Sequence, residues 1–184
     1  QLAESWQVID QTTWEFKLRQ NITFHNGDEF TARDVKFTLD RVIRENGIDG
    51  KTSPRKTLLG GIKEILITDR YTVRIITRHP WPILPLMLTL QEIVPSDYLQ
   101  EVGSKNFENA PVGTGPFQFV EKIGEDQWVL KQFKNYYGGA PLNPPTQVAP
   151  LKHLIFKTVA SQAKRIGMLK RGLADIITSV SPEA

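Results

Sequence analysis

Three histidines, His25, His79 and His153, are the side chains best suited to proton transfer or metal binding near neutral pH, and their placement supports neither. None stands in an HxH, HExxH or HxxxH arrangement, so the spacing offers no metal site. A hydrolytic role for His25 or His153 as base would need a serine or carboxylate within about 3 Å. Serine, histidine and acid all occur, but without the GxSxG turn that presents a nucleophile. Gly113-Thr114-Gly115-Pro116 resembles a phosphate loop superficially and fails on mechanism. A dinucleotide turn must open a helix and a Walker loop must end in Lys-Ser/Thr, whereas here a proline leads into the aromatic run from Phe117. A structural turn is the expectation. With no cysteine in the chain, disulfides, thiolate metal sites and cysteine nucleophiles are excluded within it. The residues therefore read as those of a non-enzyme without metal or cofactor.

Contact surfaces are the remaining chemistry. Trp6, Trp14, Trp81 and Trp128 fall on strand or apolar-helix patterns, where core packing is expected. Tyr136-Tyr137 stands in a glycine-rich loop, where packing over the neighbouring hairpin is favoured over facing a ligand. The net charge of +3 is scattered, and Lys164-Arg165 with Lys170-Arg171 is the nearest thing to a basic patch. A solvated helix face accounts for it, so no nucleic-acid partner is expected. At 184 residues, 40% hydrophobic and 23% charged, the chain has the composition of a soluble domain or two small ones. The apolar run Trp81–Leu90 is too short to span a bilayer and contains two prolines. Gln1-Leu2-Ala3-Glu4 lacks a signal pattern, which is uninformative for an internal piece.

The best-specified stretch is 13–43. Trp14, Phe16 and Leu18 alternate with charged residues as in a half-buried strand, and Asn26-Gly27 supplies a tight turn. Thr31 and Asp34 form an approximate capping box, Phe30 and Val35 a hydrophobic staple, and Val35, Leu39, Val42 and Ile43 an apolar stripe. The helix is expected to end near Glu45 at Asn46-Gly47. A short strand before Thr12 pairs with Trp14–Leu18, and a second hairpin runs from Gly61 to Arg78 with its turn at Thr68-Asp69-Arg70. Trp81–Leu90 reads as a buried short helix, the alternative being an apolar wall of a ligand cleft. A helix from Pro95 stops at Gly103, and a connector covers Phe107–Pro111. Beyond it come a hairpin with its turn at Gly124-Glu125-Asp126, a loop over Asn135–Pro150 and a strand within Leu151–Val159. A helix over Ser161–Arg171 buries Ala163, Ile166 and Leu169, Gly172 caps it, and Asp175 begins a strand that looks cut off from its continuation. These elements make an α+β chain, mainly antiparallel sheet with flanking helices.

Several runs together resemble a known family. LAESW (Leu2–Trp6), TWEFKLRQNITFHNGDEFTARDVKFTLDRV, PVGTGPF (Pro111–Phe117) and the pattern Arg165…Leu169…Gly172…Asp175 are similar, in order and spacing, to the family 5 extracellular solute-binding proteins. These are the peptide, dipeptide and nickel binding components of ABC importers. The resemblance covers nearly the whole chain, yet members are much longer, which implies an internal piece of a two-lobed periplasmic-binding-protein-like fold. It implies that residues 1–108 form the family's extra small domain and 109–184 part of the first ligand-binding lobe. It also implies a parent that captures oligopeptides or a related small solute, docks on permease subunits, and works in the periplasm or extracellularly, membrane-anchored if a lipoprotein. By position, Thr178, Ser179, Val180 and Ser181 become the ligand contacts, although Thr178 stands where some relatives carry a contacting tyrosine. A strand end facing solvent is the bland reading of the same residues. Relatives of this lobe also occur as solute-sensing domains of transcription regulators, which is the alternative reading of the parent.

Overall fold

The computed structural model describes residues 1–138 and 151–181. The first half is a four-stranded antiparallel sheet in the order β1-β2-β4-β3 with one covered face. β1 (Ala3–Asp10) and β2 (Thr13–Leu18) form the first hairpin, and β3 (Ile62–Asp69) and β4 (Thr72–Thr77) the second. Strand alternation sets the inner face: Trp14 lies opposite Ile75 and Phe16 opposite Val73, while Ile65 and Ile67 meet the same two residues from the other side. Helix α1 (Ala32–Ile43) packs on that face over β3 and β4, burying Val35, Leu39 and Val42 among Phe16, Ile65 and Ile75. The expected staple partners Phe30 and Val35 both lie in this core. Between β2 and α1 the chain makes a small loop bridged at Thr23 and Glu29. Gly27 takes φ +94° there, and Phe24 packs edge-on to Phe30 at 6.1 Å.

The capping box is real and does more than the spacing promised. Thr31 Oγ1 accepts from the Arg33 amide at 3.3 Å, and Asp34 Oδ2 accepts from the Thr31 amide at 2.9 Å. The other carboxylate oxygen, Oδ1, accepts from both the amide and the hydroxyl of Ser96 at 2.8 Å. Ser96 opens helix α4 (Ser96–Asn109), whose own N-cap residue is Pro95 and has no side-chain cap bond. One buried carboxylate therefore satisfies the starts of two helices, where unpaired amides and the helix dipole both favour negative charge.

Several expectations are corrected. α1 stops at Ile43 because Arg44 is already extended, and the left-handed Asn46 follows two residues later. Tyr71 sits in the turn of the second hairpin rather than in its strand. Between α1 and β3 the chain adds α2 (Lys56–Leu59), the short helical turn expected after Pro54. α3 (Leu84–Leu88) buries Leu84 but leaves Ile83, Leu86 and Leu90 exposed, so the apolar segment is only half covered. α4 does not end at Gly103: that residue takes φ +75°, kinks the helix, and the chain resumes to Asn109 across much of the expected connector. None of the four tryptophans is buried, and Trp6 on edge strand β1 is 43% exposed.

The second half builds a three-stranded antiparallel sheet, β5 (Phe117–Ile123), β6 (Gln127–Gln132) and β7 (His153–Lys157), followed by α5 (Gln162–Lys170). Gly124 at φ +62° forms the expected turn. This half has little core. Among the described residues Phe133 is its buried hydrophobic residue, while Ile155, Phe156 and Leu169 are exposed and α5 has no fully buried residue. The predicted face of Ala163, Ile166 and Leu169 is thus present as a stripe but uncovered. No strand begins at Asp175. The loop expected over 135–150 lies outside the described residues from 139 onward.

Replacing Asp34 by alanine removes the acceptor for both helix starts, and with buried donors left behind the loss should be about 3 kcal/mol. D34N, which keeps an acceptor oxygen, should lose less. Urea unfolding of the two variants measures the difference.

Glu15 offers a pH counterpart. Its carboxyl is held below the usual range by the Arg74 guanidinium at 2.8 Å first and by Gln7 as well, with burial opposing. A depressed folded-state value means stability that is present above about pH 4.5 and is lost as pH falls below it. E15Q should flatten the acid side of the stability profile, read by thermal unfolding at stepped pH.

Candidate functional site

The sequence points to Thr178, Ser179, Val180 and Ser181, and the structure places all four on the surface along an irregular strip after α5. The strip is positioned from the helix outward. Ser161 caps α5, its Oγ accepting from the Lys164 amide at 3.3 Å. At the other end Gly172 takes φ +67°, its amide donating to Leu169 O at 3.0 Å while that of Leu173 donates to Met168 O at 2.9 Å. This paired closure reverses the chain direction, so 173–181 runs back along the helix.

Two side chains near the helix start then hold the returning strip. Arg165 donates through Nη1 to the carbonyls of Val159 (2.6 Å) and Ala160 (2.8 Å), and through Nη2 to that of Ser179 (2.7 Å). Gln162 bonds Ser181 twice, its Nε2 to Oγ at 3.1 Å and its Oε1 from the Ser181 amide at 3.3 Å. Ser179, pinned between them, adopts the left-handed φ of 57° that non-glycine residues rarely take. Residues 174–181 have no ladder partner among the described residues. What the arrangement offers chemically is an anchored length of irregular main chain with exposed flanks at Thr178 and Val180. Arg165, read from sequence as part of a solvated basic face, is instead the strip's clamp. The family pattern at Arg165 was the signal that could have identified it.

A second feature lies elsewhere. An apolar groove of about 420 Å³ opens among β1, β2, β4, α1 and the segment around α3. Trp6, Phe16, Leu18, Leu39, Leu88 and Tyr137 line it, with Gly113 to Gly115 at its rim. Leu88 from the apolar run and Tyr137 from the glycine-rich loop thus meet at one cavity. Burial first, then Tyr136, push the Tyr137 hydroxyl up to about 12, so it stays a neutral hydrogen-bonding group. The four strip residues do not line the groove. His25 spends both ring nitrogens on the backbone of Gly113 and Gly115 rather than on a serine or carboxylate.

Arg165→Met removes all three carbonyl bonds while keeping length. It should accelerate amide exchange across 176–181 without lowering the unfolding midpoint of the first sheet. Hydrogen exchange with peptide-level mass readout separates the two regions.

The model for the bacterial extracellular solute-binding proteins, family 5 Middle, matches residues 1–184. A putative ABC transporter peptide-binding protein of Brucella ovis is 30% identical over 178 residues, covering 93% of this chain and 31% of the relative. Among solved structures, the binding protein MoaA from A. tumefaciens R10 in complex with mannopinic acid is 27% identical. It superimposes with a TM-score of 0.80 over 95% of this chain and 34% of that one. The ABC transporter-associated periplasmic binding protein DppA from Helicobacter pylori, in complex with the peptide STSA, is 26% identical with a TM-score of 0.74, covering 94% and 36%. The chain spans about a third or less of the length of the relatives it matches.

Proposed function

The chain belongs to the bacterial extracellular solute-binding proteins of family 5, and from that premise we propose that it serves capture rather than chemistry. Its parent takes up an oligopeptide or a related small solute and delivers it to ABC permease subunits. The observation that carries the reading is the anchored strip: residues 174–181 present main chain without a ladder partner among the described residues, tied in place by Arg165 and Gln162. Such an edge suits a peptide main chain, whose N–H and C=O groups repeat whatever the side chains. Thr178, Ser179, Val180 and Ser181 are then the contacts from this lobe. A second lobe closes over them by a hinge motion and buries the solute.

Residues 1–108 make the small domain beside the cleft and 109–184 part of the first lobe. In support, the two sheets fall on either side of that boundary and α4 ends beside it, at Asn109. The scant core of the second half fits a lobe completed by other parts of a longer chain. Extracellular or periplasmic work follows from the family, with a lipid anchor as one means of retention. No helix among the described residues is long and apolar enough to cross a membrane.

This chain by itself should bind peptide only weakly, since capture needs both lobes. Calorimetry showing micromolar or tighter binding would sink the two-lobe reading. In the full-length parent, Val180→Asp should weaken solute binding at least about tenfold while leaving the unfolding midpoint unchanged. Unaltered affinity would remove the strip from the site.

A further inference from the structure

His25 belongs to the first half, yet its ring contacts lie in the second. Its ring reaches the turn 112–116, Gly113 and Gly115 lying opposite the two nitrogens, and it packs edge-on to Phe133 with ring centroids 4.9 Å apart. The backbone joins in, for the His25 amide donates to the Gly113 carbonyl at 2.9 Å. The ring bonds fix a protonation state. The Gly113 amide is a donor and lies 3.3 Å from Nδ1, so Nδ1 must offer a lone pair. The ring proton then sits on Nε2, which donates to the Gly115 carbonyl at 3.0 Å. A second proton could go only to Nδ1, where it would confront the Gly113 N–H.

We propose that His25 is a pH-dependent clip: its neutral Nε2–H ring fastens the first domain to the turn that enters β5, and protonation of Nδ1 opens the fastening. The surroundings leave the ring to titrate on its own. Residues 112–116 carry no titratable side chain, and Phe133 carries none. Lys134 beyond it is exposed. On the ring's own turn, Asp28 is exposed and held by the Asn26 amide at 2.6 Å. Burial draws the imidazole below its ordinary value of 6.5, opposed in part by the Gly115 carbonyl, with no charged group contributing among the described residues.

The sign follows from that direction. The unfolded ring takes up a proton first, so the clip contributes fully above about pH 6.5 and is lost as pH falls below it. Opening would free Gly113 to Gly115, the rim of the apolar groove, from one side. The clip does not depend on which solute is captured.

The test is ring-nitrogen NMR of the intact protein, with amide exchange at Gly113 followed between about pH 7 and about pH 5. The expected result is a neutral Nε2–H ring that titrates below 6.5, with Gly113 protection lost in step. His25→Asn places an oxygen where Nδ1 accepts and cannot titrate in this range. It should keep Gly113 equally protected at both pH values. An Nδ1–H tautomer, or the same pH-dependent loss in H25N, overturns the clip. Should H25N not fold, the wild-type titration alone decides, and Gly113 protection that stays constant while His25 titrates overturns it.

Discussion

The carboxylate of Asp34 is the contact on which the arrangement of the first half depends. One oxygen closes the start of its own helix and the other closes the start of α4, so the two helix ends are held a hydrogen bond apart. Neither helix could supply this alone: α4 begins after Pro95, whose ring offers no acceptor side chain. Neighbouring contacts repeat the join. Thr38 Oγ1 accepts from the Val94 amide at 3.1 Å, and Arg33 forks onto Asp97 at 2.9 Å in the solvent layer. The exposed pair adds little by itself, whereas the buried carboxylate with every bond made is costly to disturb. From that fixed start α4 carries the chain to Asn109, a few residues before the turn that meets His25.

The two halves differ in how completely they are folded upon themselves. α1 and two hairpins enclose a continuous core from Phe16 to Leu84, including Phe24 and Phe30 with no exposed surface. The three-stranded sheet has Phe133 and a partly covered set around it, with Ile155, Phe156, Leu173 and Ile176 facing outward. It is attached to the first half through Gly113, Gly115 and Phe133 around His25.

Local chemistry made the first half legible. The alternation of Trp14, Phe16 and Leu18, the Asn26-Gly27 turn and the Thr31–Asp34 cap each specify one conformation, and all appear. What could not be read were the long-range partners of those same residues. Asp34 was visible as a cap for its own helix but not for Ser96, 62 positions later. His25 showed no metal or catalytic spacing, and its bond to Gly115 spans 90 positions. Apolar periodicity misled where no partner element exists within the described residues. The stripe on α5 and the run at Asp175-Ile176-Ile177 have the pattern of buried elements, yet among the described residues Ile166 and Ile177 are only partly covered and Leu169 and Ile176 are exposed. Periodicity records which face would be buried, not whether a surface is there to bury it.

The same reasoning explains why family was easier to read than solute. The residues that name the family sit where backbone geometry is demanding, at turns, caps and paired strands, and these constrain residue type regardless of ligand. The strip proposed to meet the solute is held through the carbonyl of Ser179, an atom that every residue possesses, by Arg165. A site built on main chain can receive many solutes with the same contacts, so side-chain identity at Thr178 and Val180 carries little information about which one. On the proposed two-lobe reading, selectivity comes from the shape of the pocket that closure would complete, of which a single lobe defines only one wall.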